Sequence, residues 1–360
     1  MIWRARPLKT NTESIAKRGV ISPYQLFFIF LVSRAVVALT FFQAILINGI
    51  SPDTLISALL ALIINLLLCL PSFLCVKQNK NPLDTKAGRI FYLVYFVFYA
   101  GINISRFAFF ASDKTSHGAS SMLFAVLMCA AACYAAYLGI EALARFSVLC
   151  AVLSIIVLLL IVALNIKNFH LINFMPFYAQ EKANIFKNSI VFSSNSIEPA
   201  LFMALSKRCG KKPAKPLFFG IIASYGAIVV MLLFCIGVLG RAASLFSFPV
   251  YTLFQMTAFK SFSRLDIVYT AFGFFALFAK CAVLIYCSGQ CIIKLNPKGK
   301  SILLFAVSLI SSIMIYRRFY SEISGSARLF YGAAALAFLV IIPLGYLIFS
   351  KRKYKNESNF

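Results

Sequence analysis

Residues 188–205 read NSIVFSSNSIEPALFMAL, and this weakly hydrophobic stretch decides the fold of the chain. Two short apolar pieces flank a polar centre that contains Glu198 and Pro199 together with several small side chains. A helix that served only as an anchor would not carry a carboxylate and a proline at its centre. Irregular backbone at membrane depth survives only where protein or a water-filled cavity satisfies its polar groups. The stretch therefore predicts a broken membrane helix, which is the usual indicator of a transporter-type binding site.

The composition places the rest of the chain in a lipid bilayer. Of the 360 residues, 61% are hydrophobic and only 12% are charged, and long apolar runs of this kind are transmembrane helices. The net charge of +25 suggests nucleic acid at first sight, but the basic residues lie in short loops between apolar runs. That placement is typical of the cytoplasmic loops of membrane proteins and argues against nucleic acid as a partner.

The sequence offers no evident carrier of enzymatic chemistry. It contains no HExxH, GxSxG or P-loop motif and no pair of catalytic carboxylates. None of the ten cysteines forms a CxxC pair, and buried cysteines usually pack as small hydrophobic residues. We therefore predict no enzymatic activity, no metal and no cofactor.

Ten segments are predicted to cross the bilayer, and the basic loops decide the count. The run from Lys207 to Lys215 is the strongest cytoplasmic signal in the chain, and it lies inside only if 188–205 crosses. The segment 1–20 is predicted to be cytoplasmic from its own basic residues, and the same crossing places the basic tail 351–360 on that side. The predicted spans are 21–49, 54–76, 88–110, 120–138, 144–166, 188–205, 216–240, 265–293, 301–316 and 327–350.

Residues 242–260 are also fairly apolar, but Pro249 and Lys260 interrupt them. We interpret them as a helix that lies on the outer membrane surface. A spanning interpretation is the alternative, and it would invert everything that follows.

Spans one and six occupy corresponding positions in two five-span halves. Ser33 and Arg34 interrupt the first, as Glu198 and Pro199 interrupt the sixth. Matched breaks in two halves indicate an inverted repeat with a binding site near the bilayer midplane.

Ionisable residues inside membrane spans are costly and usually functional. Arg34 and Glu198 could meet across the two breaks, either to shape a ligand site or as a purely structural ion pair. Lys280 could bind backbone carbonyls of span one in place of a cation, or serve as a proton-coupled or structural ammonium. In span three, Tyr99 and Asn103 are four residues apart and share a helix face, so we predict that they line the cavity wall.

Several stretches resemble the B subunits of spore germination receptors, which belong to the amino acid–polyamine–organocation transporter superfamily. ISPYQLFFIFLVSRA at 21–35 looks like the opening of these subunits, and YLGIEALARFS at 137–147 resembles their linker between spans four and five. Glu198 also fits, as does FPVYTLFQMTAFKSFSRLDIVYTAFGFFALFAK at 248–280. The similarity covers essentially the whole chain.

This resemblance implies an all-α, LeuT-like membrane fold of ten transmembrane helices in a five-plus-five inverted repeat, with spans one and six broken. It also implies a nutrient-sensing role in the inner membrane of a bacterial endospore. The expected ligand is a small germinant such as an amino acid, and the expected protein partners are an A subunit and a C-subunit lipoprotein.

By the same analogy, backbone amides and carbonyls at the two breaks hold the amine and carboxylate of the ligand, and helix N-termini favour the anionic group. One departure is that SRAVVA at 33–38 lacks the glycines usual at the first break, which indicates a ligand held differently or a narrowed pocket. The predicted site comprises Ser33, Arg34, Ala35, Tyr99, Asn103, Ser194, Asn195, Ser196 and Glu198, with Lys280 as a cation-site-like residue.

Three functions are compatible with the sequence. The first is a receptor subunit that binds a small nutrient and passes its occupancy to partner proteins. The second is a proton-coupled amino-acid transporter. The third is a non-transporting membrane scaffold of the receptor complex.

Overall fold

The computed structural model is helical apart from an isolated bridge between Ile21 and Cys209 within the residues that it describes. Those residues are 20–45, 49–114, 120–176, 180–194, 196–209, 213–246, 248–256, 265–293, 295–321, 336 and 338–348. The helices are α1 Pro23–Ile45, α2 Thr54–Lys77, α3 Lys86–Lys114, α4 Ser121–Leu138, α5 Ile140–Asn165, α6 Lys182–Ser194, α7 Glu198–Leu205, α8 Ala214–Leu239, α9 Pro249–Met256, α10 Leu265–Cys291, α11 Pro297–Ser321 and α12 Phe338–Ile348.

Seven of the described helices, α2, α3, α4, α5, α8, α10 and α11, are long and apolar enough to cross a membrane. A hydrocarbon core about 30 Å thick needs roughly 20 apolar residues in helical form, and these helices provide them. The chain is therefore a multi-pass membrane protein. The count of ten spans is not confirmed by length and composition, and it stays a prediction.

The first span differs from the sequence-based expectation, because α1 runs without a break from Pro23 to Ile45 and passes through Ser33 and Arg34. The reason is local. The stretch SRAVVA at 33–38 contains neither glycine nor proline, so nothing in it removes a helical hydrogen bond. Ser33 Oγ also lies 2.9 Å from the carbonyl oxygen of Phe30, one turn back in the same helix.

The segment 188–205 is interrupted as its sequence predicts. Helix α6 ends at Ser194 and α7 begins at Glu198, with Ser196 and Ile197 outside either helix. Pro199 lies in the first turn of α7, where its missing N–H group costs no hydrogen bond and its fixed φ suits a helix start. The interruption therefore follows from the proline and its polar neighbours.

The interrupted segment runs alongside α2 and in the same direction. Near its beginning, the carbonyl of Ile185 accepts a 3.1 Å hydrogen bond from Ser57 Oγ. Near its end, the carbonyl of Met203 accepts a 2.8 Å hydrogen bond from Asn81 Nδ2, just beyond α2. Because α2 is long enough to span the bilayer, this register carries α6 and α7 together from one end of the bundle to the other.

Three segments, residues 20–22, 78–85 and 206–209, meet at one end of the bundle, which we call the basic end because Lys80, Lys207 and Arg208 lie there. Lys207 Nζ lies 2.6 Å from Asp84 Oδ1, and the backbone N–H of Ile21 donates a 2.9 Å hydrogen bond to the carbonyl of Arg208. The sequence-based topology requires these segments to share a side. That this side is the cytoplasm remains a prediction.

Helix α9 occupies part of the ambiguous stretch 242–260. It has eight residues and is therefore about 12 Å long at 1.5 Å per residue, too short to cross a bilayer. Residues 257–264 lie outside the described part of the chain. The interfacial position of this segment stays a prediction.

Candidate functional site

Arg34 links three parts of the bundle at the interruption. Its Nη2 donates a 3.0 Å hydrogen bond to the carbonyl of Phe192 in α6, and its Nη1 donates one of 3.2 Å to Ser196 Oγ. The guanidinium also donates to the phenol of Tyr225 in α8 and lies over its ring. Nη1 is 3.8 Å from Oε2 of Glu198. Arg34 therefore holds α1 against both the broken segment and α8.

Glu198 is the first residue of α7 and is only 2% exposed. Its Oε1 accepts a 2.9 Å hydrogen bond from Ser33 Oγ, while its Oε2 faces Arg34. A carboxylate in the first turn of a helix is also stabilised by the helix dipole. Ser33, Arg34 and the start of α7 therefore provide three separate sources of stabilisation for this buried anion.

Two tyrosines of α3 donate hydrogen bonds to backbone carbonyl groups at the interruption between α6 and α7. Tyr95 donates a 2.8 Å hydrogen bond to the carbonyl of Ser196, and Tyr99 donates to the carbonyl of Ser194. The two tyrosines are four residues apart and so share one face of α3. The phenols thus satisfy backbone acceptors that would otherwise be open to a ligand.

Asn65 and Tyr225 belong to the same cluster, and the sequence analysis missed both. Asn65 Nδ2 donates to the phenol of Tyr225, and it lies 3.5 Å from Ser193 Oγ in α6. Asn65 stands alone among leucines and isoleucines in the run ALIINLLLCL. A lone amide in so apolar a membrane segment is a signal of interhelical hydrogen bonding and could have identified this residue.

The N-terminus of α7 has no side-chain cap among the described residues. The N-cap position is held by Ile197, which is apolar and fully buried. The first N–H groups of a helix have no partner within the helix, and a helix start of this kind favours an anion.

Lys280 adds a second buried basic side chain. It lies on α10, which packs against α1 and α7, and it is 3% exposed. It interacts electrostatically with Glu198 and Arg34, but it forms no hydrogen bond or ion pair with any described residue. Glu198 is the single carboxylate among the described residues of this cluster, and its ion pair is with Arg34 rather than with Lys280.

The structure brings most of the predicted site residues together: Ser33, Arg34, Tyr99, Ser194, Ser196 and Glu198. Asn103 is an exception, because its Nδ2 donates back to the carbonyl of Tyr99 in its own helix and its buried Oδ1 has no hydrogen-bond partner within the described residues. The backbone of Ala35 lies in α1, but its side chain is outside the described part, as is Asn195 altogether.

A helical membrane bundle with one helix interrupted among buried polar groups is an arrangement typical of LeuT-like transporter folds. The chain is similar to the solved structure of Mhp1, a nucleobase-cation-symport-1 family transporter, in a closed conformation with bromovinylhydantoin bound. The match has a TM-score of 0.53 and 13% sequence identity, and it covers 93% of this chain and 80% of Mhp1. At this identity the likeness shows the fold alone, and it confirms the predicted all-α, LeuT-like fold, while the count of ten spans stays a prediction.

The family follows from the sequence itself. The model of the spore germination protein family matches residues 20–324, so the chain belongs to that family, and the predicted resemblance is confirmed. No curated protein matches the chain. Both the family and the fold are of the permease type rather than of an enzyme.

Proposed function

We propose that this chain is the nutrient-sensing membrane subunit of a spore germination receptor, and that it binds an amino-acid-type ligand between α6 and α7. The observation that carries the proposal is the buried polar cluster at the interruption, to which α1, α2, α3 and α8 all contribute side chains. Membership of the spore germination family supports the germination role.

The charges of the cluster favour a ligand that carries a carboxylate. An anionic group near the start of α7 would give Lys280 a counter-ion and give the uncapped N–H groups an acceptor. Burying an unpaired ammonium in an apolar environment is costly, so the free energy of ligand binding includes relief of that cost. Lys280 acts here as an anion partner rather than as a substitute for a cation.

The amine of the ligand has a different route into the site. The carbonyls of Ser194 and Ser196 are occupied by Tyr99 and Tyr95, so an ammonium reaches them only by displacing a phenol. That displacement would loosen α3 from the broken segment. Occupancy of the site is thereby converted into a movement of α3, which the A and C subunits read in the inner spore membrane.

Ligand binding is tested with the purified full chain in detergent. Thermal unfolding is followed with each of the twenty L-amino acids, and any amino acid that raises the Tm is compared with its carboxamide. We expect at least one amino acid to stabilise the protein and its carboxamide to lose that effect. In Lys280→Met protein, the preference for the carboxylate over the carboxamide should disappear. If no amino acid shifts the Tm of the wild type, the ligand proposal is wrong.

The scaffold function is the second candidate, and the unbroken α1 together with the occupied carbonyls favours it. Uptake in proteoliposomes separates it from the transporter function. Concentrative, proton-driven uptake of a stabilising amino acid would identify a transporter and contradict a pure receptor. Binding without uptake supports the receptor subunit, and absence of both supports the scaffold.

A further inference from the structure

A groove opens between α4, α10 and α11, away from the interrupted helix. It encloses a cavity of about 200 Å³. Tyr137, Tyr286 and Lys300 line it with polar groups, while Ile285 and Leu304 line it with apolar groups. The groove therefore combines a polar, basic part with an apolar part.

The groove lies at the basic end of the bundle and carries an excess of positive charge. Gln290, another lining residue, accepts a 3.4 Å hydrogen bond from Arg208 Nη2, so a second basic side chain reaches the edge of the groove. The first turn of α11 contains no acidic residue. The ammonium of Lys300 forms no hydrogen bond or ion pair with the residues that the structure describes.

The groove also adjoins the surface that faces lipid. It is built from the last turns of α4 and α10 and the first turns of α11, where membrane helices meet the headgroup layer, and tyrosines are enriched at that level. Beside it, Ile302 and Leu303 are 70% and 42% exposed. An apolar chain entering from the bilayer would therefore meet exposed apolar side chains next to the groove.

We propose that this groove binds one anionic phospholipid, with the phosphate between Lys300 and Tyr286 and the acyl chains against α11. Basic pockets between membrane helices on the cytoplasmic side bind lipid headgroups in this way. A soluble phosphate would use the same cation but would leave the apolar part of the groove empty. The groove shares no lining residue with the proposed amino-acid site.

Native mass spectrometry of the purified full chain tests the site, with dioleoylphosphatidylglycerol, dioleoylphosphatidylcholine and glycerol 3-phosphate as the three probes. We expect one phosphatidylglycerol to be retained per chain, no comparable retention of phosphatidylcholine, and no competition by glycerol 3-phosphate. Lys300→Gln should weaken retention about fivefold, the effect of one basic residue near an anionic lipid surface.

Lys207→Gln is the matched control, since Lys207 is at the same end but is paired with Asp84 and does not line the groove. This variant should retain phosphatidylglycerol like the wild type. Equal losses in the two variants, or equal retention of the two lipids, would overturn the proposal. Competition by glycerol 3-phosphate would instead assign the groove to a soluble phosphate. Tyr286→Phe, with a predicted smaller loss, provides a second variant if Lys300→Gln does not fold.

Discussion

Arg34 and Glu198 form an ion pair between α1 and α7, with Nη1 of Arg34 3.8 Å from Oε2 of Glu198 and both side chains almost fully buried. Attraction at this distance repays the loss of hydration only when further hydrogen bonds satisfy both ions. Ser33 supplies one to the carboxylate, and Ser196 accepts one from the guanidinium. The ion pair and its neighbours therefore act as one unit.

The losses of stability caused by neutralising the two partners should not be additive. We expect Arg34→Met and Glu198→Gln each to cost about 3–5 kcal/mol, because each leaves an uncompensated buried charge. The double variant should lose less than the sum of the single losses. Denaturant unfolding of the purified proteins measures this coupling, and strictly additive losses would show that the two charges do not interact.

The interruption of 188–205 was predictable because its causes are local. Pro199 cannot continue a helix from the preceding turn, and a carboxylate at this depth needs a polar partner. The same local reasoning failed for α1. A polar pair such as Ser33 and Arg34 does not by itself remove a helical hydrogen bond, and α1 stays continuous.

The partners of the site could not be predicted from the sequence in the same way. Tyr95 resembles an ordinary packing aromatic of a membrane helix, and its bond to the carbonyl of Ser196 depends on how α3 is positioned against the break. Tyr225 likewise meets Arg34 and Asn65 only through the packing of α8 against α1 and α2. Tertiary register, which single-helix patterns do not encode, selects these contacts.

Removing the hydroxyl group of Tyr95 should destabilise the protein more than removing the hydroxyl group of Tyr92. Tyr95→Phe leaves the buried carbonyl oxygen of Ser196 without a hydrogen-bond donor. The free energy of unfolding should fall by about 1–3 kcal/mol as a result. Tyr92 is buried in the same helix, but among the described residues its hydroxyl reaches only the sulfur of Met203, at 3.7 Å, so Tyr92→Phe is the matched control. Thermal unfolding of the two variants checks the difference, and equal shifts would contradict the capping role of Tyr95.

The crossing of 182–205 predicts opposite accessibility of its two flanks. Single cysteines at Asn168 and Lys207, in a Cys209→Ser background, should react with a membrane-impermeant maleimide from opposite sides of the membrane. In intact cells only Asn168→Cys should be labelled, because the basic end is predicted to face the cytoplasm. Labelling of both positions from the same side would overturn the topology and with it the proposed ligand site.

The close approach of α1 and α8 at Gly220 gives a test of how the site is held. A Cβ at Gly220 would lie 2.8 Å from the Cβ of Phe30 and 3.3 Å from the carbonyl oxygen of Phe27. Neither atom can move by a change of rotamer, so Gly220→Ala must push α1 away from α8. Arg34 lies one turn beyond Phe30 on α1, and its bond to Tyr225 of α8 should weaken.

We therefore expect Gly220→Ala to cost about 1–3 kcal/mol, as overpacking usually does, and to reduce the Tm shift of any stabilising amino acid. Gly226→Ala is the control in the same helix, since a Cβ there meets nothing within 4 Å. That variant should be neutral, or more stable by up to ~1 kcal/mol through helix propensity. Comparable losses of stability from the two substitutions would contradict this explanation, because Gly226 makes no close contact with α1. If only Gly220→Ala loses stability, and the Tm shift caused by the amino acid also becomes smaller, the close contact between α1 and α8 positions the polar cluster for ligand binding.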